Sequence, residues 1–367
     1  MPEILLSVEG VSKKVGRKEI LSDINLSVER GAMLSLLGPP GAGKTTLLKI
    51  ITGLDRPSKG RIYIDGVDVT EMPAYKRPVA MVFQSFALFP NMSVYENIAH
   101  PLRRLRLSEN EIRRRVIELA ETLGIQETLA RKPNELSGGQ MQRVAIARAL
   151  AKDAKLYLLD EPFTNLDAKV RETLRVELKK LYDKLGITVI LATPDPLETL
   201  VMGGKVAVMR AGKILQVDEV LKVYEEPLNA FVAEYLSYPP MNMIKGFVSK
   251  NNEEMVIKTS LFTLPCPEKL KEFEELIIGI RPDTVRLDEK GDLKFNCEVI
   301  ITEVIGSDTI IHVSLGAEES GTFKIFIPGK IVRYDIGTKL RCSVDYRNIY
   351  VFNAENREYI GRFDKLI

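Results

Sequence analysis

The segment Gly38–Thr45, which reads GPPGAGKT, has the residue types and the spacing of a loop that binds phosphate. It fits the pattern G-x-x-x-x-G-K-[ST] and lies between a short apolar run, residues 33–37, and a helix-like stretch that begins at Lys44. Glycines let successive backbone N–H groups turn inward around phosphate oxygens, and the following helix directs its positive end at them. Lys44 would reach the β- and γ-phosphates, and the Thr45 hydroxyl would coordinate Mg²⁺. The residues predicted to contact a nucleotide are Gly38, Pro39, Pro40, Gly41, Ala42, Gly43, Lys44, Thr45 and Thr46.

Two adjacent carboxylates, Asp160 and Glu161, end a second apolar run at residues 155–159. A carboxylate at the end of such a strand can hold the Mg²⁺ shell, and the next one can orient or deprotonate an attacking water. Paired acids after a strand also occur as a simple helix-start signal. Because a phosphate loop accompanies them here, we predict that Asp160 binds the metal and that Glu161 acts on the water.

Three further segments resemble motifs of the ABC-type ATPases. Residues 136–143, LSGGQMQR, resemble the signature motif; Gln84, in the segment MVFQS, resembles the Q-loop glutamine; and Asn165–Asp167 resembles the D-loop. Together with the phosphate loop, these motifs follow the order of that family. The resemblance covers most of residues 4–235, and the chain is identified on these motifs as resembling an ABC-type ATPase.

The resemblance implies that two such domains pair head to tail, with each ATP between the phosphate loop of one and the signature of the other. One phosphate loop and one signature per chain mean that a second ATPase subunit is required, in a homodimer or a heterodimer. The implied cofactors are ATP and Mg²⁺. The residues that would contact the partner's nucleotide are Ser137, Gly138, Gly139 and Gln140. The implied catalytic residues are Lys44, Gln84 and Glu161, and the implied metal ligands are Thr45, Gln84 and Asp160.

The hydrophobic pattern changes once along the chain. Residues 1–235 alternate short apolar strands with helices, which is typical of an α/β domain on a mainly parallel sheet. Within it, Ser108–Glu111 is a capping box that opens a helix, and Asp167 and Gly186 are placed to begin and end another. After the tandem prolines at 239–240, short alternating segments predict a small antiparallel barrel or sandwich. Together with the resemblance, this change of pattern implies two domains. Residues 1–236 would form an α/β P-loop NTPase (ABC ATPase) domain with a helical subdomain. Residues 237–367 would form an all-β OB-like barrel domain for regulation or dimerisation.

Short motifs in the second domain refine the resemblance. Residues 238–242, YPPMN, are similar to the linker of sugar-importer ATPases of the maltose/glycerol-phosphate type. Residues 279–283 and 302–306 resemble their C-terminal OB-like (TOBE) domain. This implies an importer of carbohydrate, with importers of oxyanions or polyamines as the alternative because they share the barrel. An OB-like barrel can also bind oligonucleotides, but this segment lacks the dense basic and aromatic cluster of a stacking platform, so we expect no nucleic-acid partner.

Composition agrees with a protein that serves a membrane from outside the bilayer. The 367 residues carry 52 Lys+Arg against 50 Asp+Glu, which argues against a polybasic nucleic-acid or membrane binder. The three cysteines have no C-x-x-C spacing, and the sequence has no apolar run of the ~18–20 residues that a membrane span needs.

The location that the resemblance implies is peripheral, on the cytoplasmic face of the cell membrane. The implied partners are permease membrane subunits, docked near residues 86–98, and indirectly an extracellular solute-binding protein. A soluble ABC ATPase, or a regulatory ATP-binding protein with little hydrolysis, is the rival interpretation.

The sequence departs from the family pattern at two positions close to the expected nucleotide. Pro194 stands where the family has a switch histidine that contacts the γ-phosphate. Proline has no side-chain donor and no backbone N–H, so it cannot sense a phosphate by hydrogen bonding. Three consequences are open. Hydrolysis by this chain is slowed, or the chain works in a heterodimer where its signature serves a partner that has the switch histidine. In the third, this chain binds ATP but hydrolyses almost none. Val15 is the best match to the aromatic residue that stacks on adenine, and an aliphatic residue there would contribute less stacking.

Overall fold

The computed structural model describes residues 3–164, 166–252, 254–314 and 322–367. The chain divides into two compact units, Met1–Val220 and Leu221–Ile367. The strands of the first unit are β1 (Ile4–Val15), β2 (Lys18–Glu29), β3 (Met33–Leu37), β4 (Lys59–Ile64), β5 (Val67–Asp68), β6 (Val79–Val82), β7 (Leu156–Asp160), β8 (Thr188–Thr193), β9 (Lys205–Arg210) and β10 (Lys213–Glu219). Its helices are α1 (Lys44–Thr52), α2 (Val94–Leu102), α3 (Glu109–Thr122), α4 (Gly138–Leu150), α5 (Ala168–Leu185) and α6 (Pro196–Met202), and α7 (Val220–Glu225) begins at its last residue.

A six-stranded sheet in the order β10-β9-β3-β8-β7-β6 forms the centre of the first unit. All its pairs are parallel except β9 with β10. Parallel neighbours need crossover connections, which the helices between these strands supply. The carboxyl ends of β3, β6, β7 and β8 therefore lie at one edge of the sheet, and the segments beginning at Gly38, Phe83, Glu161 and Pro194 leave from that edge.

A second sheet, in the order β2-β1-β4-β5, is antiparallel. The side chains of Leu47, Leu48, Ile50 and Ile51 on α1 are fully buried in one apolar cluster with residues of both sheets. This helix follows the phosphate loop directly, so its burial fixes the loop against the sheet.

The helical part of the unit is built from α2, α3 and α4, which pack on one another. The predicted capping box is confirmed: the Ser108 hydroxyl accepts the Glu111 N–H, and the Glu111 carboxylate accepts the Ser108 N–H. The predicted start and end of α5 are also confirmed, with Asp167 as its N-cap and Gly186 as its left-handed C-cap. Local capping chemistry was sufficient to place these helix ends in the sequence.

The second unit begins with two helices and continues as strands. Its elements are α8 (Ala230–Tyr235), β11 (Asn242–Asn251), β12 (Glu254–Lys258), β13 (Thr263–Pro265), β14 (Glu275–Ile280), β15 (Leu293–Ile305), β16 (Asp308–Ser314), β17 (Thr322–Ile327), β18 (Lys339–Val344), β19 (Ile349–Asn353) and β20 (Tyr359–Arg362), after most of α7. Two antiparallel sheets, β13-β12-β11-β14-β19-β20 and β17-β16-β15-β18, bury one shared apolar core. This all-β arrangement is consistent with the expected OB-like domain.

The division between the compact units lies before the tandem prolines. Ala230 and Ala233 of α8 are buried against Met241, Tyr350 and Phe352 of the second unit, so this helix belongs with the strands that follow it. The boundary that the sequence places at residues 236/237 marks the change from helical to strand periodicity, and as a domain boundary it stays a prediction. In the part of the chain that the structure describes, no helix is both long and apolar enough to span a membrane.

Candidate functional site

The phosphate loop is held against the sheet edge by backbone contacts. The Gly38 N–H donates to the carbonyl of Thr193 at the end of β8, 3.2 Å away. A Cβ on Gly38 would collide with the carbonyl oxygen of Met209, so only glycine fits there. Gly43 precedes α1 with a φ of +105° and without a side-chain cap. The first N–H groups of α1 are thus left for an anion, as in other helices that receive phosphate.

Lys44 lies buried beneath the loop, with only 3% of its surface exposed. Its ammonium donates to the carbonyls of Gly38 at 2.7 Å and Pro39 at 3.2 Å, and it lies 3.5 Å from Glu161 Oε1. Burial lowers the pKa of Lys44, and the neighbouring carboxylates of Glu161 and Asp160 oppose that shift. A phosphate oxygen would compete with these acceptors for a lysine that is already placed by the loop.

Thr45 and Asp160 are two of the three residues that the sequence predicts as metal ligands, the third being Gln84. The Thr45 hydroxyl donates to Asp160 Oδ1 at 2.9 Å across 115 residues of sequence. Burial raises the pKa of Asp160, and the hydroxyl contact opposes the shift. Among the described residues no cluster of three or more His, Cys, Asp or Glu is placed to hold a metal. This donor set fits Mg²⁺, which is usually held by one or two protein oxygens together with waters and substrate phosphates.

Glu161 stands at the end of β7 with a left-handed φ of +47°. Its N–H donates to the carbonyl of Ala192 on the neighbouring strand at 2.9 Å. This tether holds the backbone in a conformation that non-glycine residues seldom adopt, and such conformations occur often at active sites. The Glu161 carboxylate lies beside the Lys44 ammonium. In the sequence, Glu161 directly follows Asp160, which accepts the Thr45 hydroxyl.

Gln84 is exposed and follows β6 by two residues. Since β6 pairs with β7, with Val82 beside Leu159, Gln84 leaves the same sheet edge as Asp160 and Glu161. The structure thus brings the phosphate loop, the paired carboxylates and the Q-loop segment to one edge. The catalytic and metal-binding roles assigned to individual residues stay predictions.

The signature residues lie at the start of α4, which packs on α2, α3, α5 and β6. Ser137 is the N-cap: its hydroxyl accepts the Gln140 N–H, and the Gln140 side chain accepts the Ser137 N–H. Ser137 Oγ accepts this bond through a lone pair, so the hydroxyl hydrogen of Ser137 is left to donate to another group. Gly139 passes close to α5, where an added Cβ would come within 2.8 Å of Val170. Gly138 begins the helix between them.

The remaining predicted contacts lie apart from the loop in sequence. Val15, at the end of β1, is 60% exposed, which leaves it available to cover a base. Asn165 of the expected D-loop lies outside the described residues, whereas Asp167 accepts the Val170 N–H as the cap of α5.

Two charged groups near Pro194 in the structure, the buried Glu198 and the partly buried Arg175, were not singled out in the sequence. Glu198 on α6 is 4% exposed and accepts a hydrogen bond from the Thr193 hydroxyl. Arg175 on α5 approaches Asp195, with 4.0 Å between Nη1 and Oδ2. The Asp195 carboxylate also caps α6 through the Leu197 N–H. The only sequence signal for this cluster was an acid placed one turn into a short helix directly after a buried strand.

Glu198 gives the first unit a pH-dependent stability. Burial raises the pKa of Glu198 to about 7 from its ordinary 4.5; Asp195 adds to the shift, and the Thr193 hydroxyl, Arg175 and Arg171 oppose it. Between these two values the unfolded chain releases a proton that the folded chain keeps, so the free energy of unfolding should fall as the pH rises from about 4.5 to 7. This fall in the free energy of unfolding is on the order of 3 kcal/mol. Because a glutamine is always neutral, Glu198→Gln should remove the fall, which urea titrations at pH 5 and pH 8 would measure.

The control for this experiment is Glu172→Gln, which changes an exposed carboxylate on α5 and should keep the wild-type dependence on pH. A Glu198→Gln protein whose stability changes with pH as much as that of the wild type would contradict the assignment.

Comparison with known proteins decides the family. A family model described as ABC transporter matches residues 21–164. The trehalose/maltose import ATP-binding protein MalK of Thermococcus litoralis is 39% identical, over 94% of this chain and 96% of the relative. This chain belongs to the ATP-binding proteins of ABC transporters. A further relative, the spermidine/putrescine import ATP-binding protein PotA of Thermotoga maritima, is 41% identical to this ABC protein over 78% of each chain.

Solved structures agree with the fold of this ABC transporter protein. The ATP-binding cassette MJ0796, in a dimeric post-hydrolysis state bound to ADP and Pi, matches with a TM-score of 0.53 and 33% identity, over 59% of this chain and 98% of that one. The predicted ABC ATPase fold is therefore confirmed, and so is the predicted class of enzyme, an ATPase coupled to transport.

Proposed function

We propose that this ABC protein is the ATP-binding and hydrolysing subunit of an importer and that the imported solute is a carbohydrate. The observation that carries the proposal is the phosphate loop with Lys44 beneath it, beside the Thr45–Asp160 pair and Glu161. The near full-length similarity to a trehalose/maltose import protein favours a sugar. The similarity to a spermidine/putrescine import protein keeps a polyamine as the second candidate.

Each residue of the site has a distinct task in this proposal. The loop N–H groups and Lys44 bind and orient the β- and γ-phosphates, and the Thr45 and Asp160 oxygens would hold Mg²⁺. The metal, when bound, neutralises charge on the phosphates. Glu161 accepts a proton from the attacking water, which Gln84 helps to position. Val15 covers the adenine, and Ser137 donates its hydroxyl hydrogen to the γ-phosphate bound by a second ATPase subunit.

The dimer completes both sites, and its closure does the mechanical work. ATP bridges two subunits and so favours the closed pair, whereas hydrolysis removes that bridge and lets the pair reopen. This is a conformational cycle driven by the preference of a ligand for one state. We place this cycle on the cytoplasmic face of the membrane, beneath permease subunits that alternate between orientations and receive solute from an extracellular binding protein.

An apolar groove beside the Q-loop segment supports docking of a permease. Its cavity has a volume of about 340 Å³, and its lining includes Leu54, Phe83, Phe89, His100, Pro101 and Arg148. Phe89 is 40% exposed, whereas Val94 and Ile98 are fully buried. The region 86–98, which the sequence left open between core and contact surface, thus contains both kinds of residue. Val94 and Ile98 belong to the core, whereas Phe89 lines the groove together with His100 and Pro101 of α2.

A reconstituted transporter tests the proposal. The chain is to be combined in proteoliposomes with a candidate permease and binding protein, and the uptake of labelled disaccharides, spermidine and an oxyanion is to be measured with and without internal ATP. We expect ATP-dependent uptake of a disaccharide, and none with Lys44→Ala. Uptake of spermidine or the oxyanion alone would reject the carbohydrate assignment. Co-purification with RNA or DNA instead of membrane subunits would reject the role in transport.

A further inference from the structure

The chain makes a strained turn directly after Gln84. Phe86 and Ala87 are consecutive residues with left-handed φ values of +61° and +49°. Both carry a Cβ, which makes this conformation unfavourable, and a pair in succession is rarer still. Local bonds, from the Phe86 N–H to Phe83 O and from the Ala87 N–H to Ser85 O, close the turn but leave its two outward carbonyls to another partner.

Arg148 is that partner. Its Nη1 donates to the Ala87 carbonyl at 2.7 Å and its Nη2 to the Phe86 carbonyl at 2.9 Å, so one planar guanidinium holds both strained residues. The same group lies over the Phe89 ring, 5.5 Å from its centroid. Within the described residues no carboxylate pairs with Arg148, and burial lowers its pKa. The charge of Arg148 is therefore directed at the turn, where a charged donor strengthens hydrogen bonds to carbonyls.

The arginine belongs to α4, the helix that opens with the signature residues. It lies in the last turn of that helix, four residues beyond the buried Val144. Through Arg148, the signature helix is tied to the segment that follows Gln84. A displacement of α4 would thus be transmitted to the Q-loop by two short hydrogen bonds.

We propose that Arg148 is a positioning residue for ATP hydrolysis: it holds the Phe86–Ala87 turn and thereby sets the position of Gln84 relative to the nucleotide. The inference rests on the proposed function, because that function gives Gln84 its task. Arg148 touches neither the phosphate loop residues nor the Thr45–Asp160 pair through any contact in the described residues. Its loss should therefore change the rate of hydrolysis and leave nucleotide binding intact.

The first test separates kcat from ATP affinity. Arg148→Gln should lower the single-turnover rate about tenfold, because the released turn no longer holds Gln84 in position and a misplacement of about 1 Å near the reacting atoms costs up to ~10²-fold. The ATP Kd, measured with a fluorescent ATP analogue, should change less than about twofold. Arg148→Lys, which keeps one charged donor, should have an intermediate rate and serves as the reporter if Arg148→Gln does not fold. Unchanged rates in both variants, or equal losses of rate and affinity, would overturn the proposal.

The second test is rescue by glycine. Ala87→Gly removes the Cβ that makes the left-handed turn costly, so in the Arg148→Gln protein it should restore the rate at least threefold. The matched control is Ala211→Gly, which relieves the same strain (φ +47°) at the turn between β9 and β10. Equal rescue by both glycines would show that Arg148 acts only through global stability and would overturn the proposal.

Hydrogen exchange provides a measurement that does not depend on hydrolysis. Amides in residues 83–89 should exchange faster in Arg148→Gln than in the wild type, and Ala87→Gly should slow them again. If the wild-type protein fails to hydrolyse ATP both alone and mixed with a histidine-containing ATPase subunit while these exchange differences appear, the proposed function fails and the holding of the turn stands. If it hydrolyses ATP and exchange is unchanged in Arg148→Gln, Arg148 does not hold the turn.

Discussion

Glu161→Gln should lower the single-turnover rate of ATP hydrolysis by about 10²–10⁴, the range typical for the loss of a general base. The amide keeps the size of the side chain but cannot accept the proton from water. The backbone should be unaffected, because the Glu161 N–H bond to Ala192 O and the left-handed φ do not depend on the carboxylate. ATP should bind at least as well as in the wild type, since Lys44 loses a competing carboxylate 3.5 Å away.

The structural consequence of this variant is a trapped dimer. ATP that binds but is not hydrolysed keeps two subunits bridged, so size-exclusion chromatography with ATP and Mg²⁺ should show a longer-lived dimer than the wild type forms. Lys44→Ala is the control, because it removes the ammonium that orients the phosphates and should abolish the ATP-dependent dimer. A Glu161→Gln protein that hydrolyses ATP at the wild-type rate would exclude Glu161 as the base.

Pro194→His should raise the rate of hydrolysis by about 10²–10³, which corresponds to roughly 2.7–4 kcal/mol for one catalytic hydrogen bond. Residue 194 directly follows Thr193, whose carbonyl accepts the N–H of Gly38 at the start of the phosphate loop. A histidine side chain there would stand beside the phosphates. The Asp195 N–H bond to Thr193 Oγ1 and the cap of α6 do not depend on the side chain at residue 194, so both should persist in the variant.

The control for this gain is Pro194→Ala, which restores a backbone N–H but no side-chain donor and should change the rate little. ATP affinity should be similar in the wild type and both variants, because Lys44 and the loop carry the binding. Equal rates in the wild type and Pro194→His would contradict the prediction. If only a mixture with a second, histidine-containing ATPase subunit becomes active, the natural assembly is a heterodimer in which this chain supplies the signature.

Much of the site could be predicted because its motifs act through local geometry. The phosphate loop depends on glycines at fixed spacing and on the helix that begins at Lys44, and both are visible within a few residues of sequence. The capping residues Ser108, Asp167 and Gly186 likewise determine helix ends through contacts a few residues away. The resemblance of the signature and Q-loop segments then supplied the family, which comparison confirmed.

Other features could not be read from neighbouring residues because they depend on burial and on contacts across long stretches of chain. Arg148 contacts the carbonyls of Phe86 and Ala87 across 62 and 61 residues of sequence. Burial raises the pKa of Glu198 to about 7, and this burial arises when α6 packs against β3 and β8.

The sequence by itself thus determined the motifs on which the predicted chemistry rests: a phosphate loop, paired carboxylates, a segment that resembles the signature, and a proline at the position expected for the switch histidine. Each of these is a matter of residue type and short spacing. Only the tertiary structure decided how the parts are held: which carbonyls restrain Lys44, how Arg148 clamps the turn after Gln84, and how deeply Glu198 is buried. The physical reason is that hydrogen bonds and desolvation act between groups that are close in space, and this proximity arises only when the strands and helices pack.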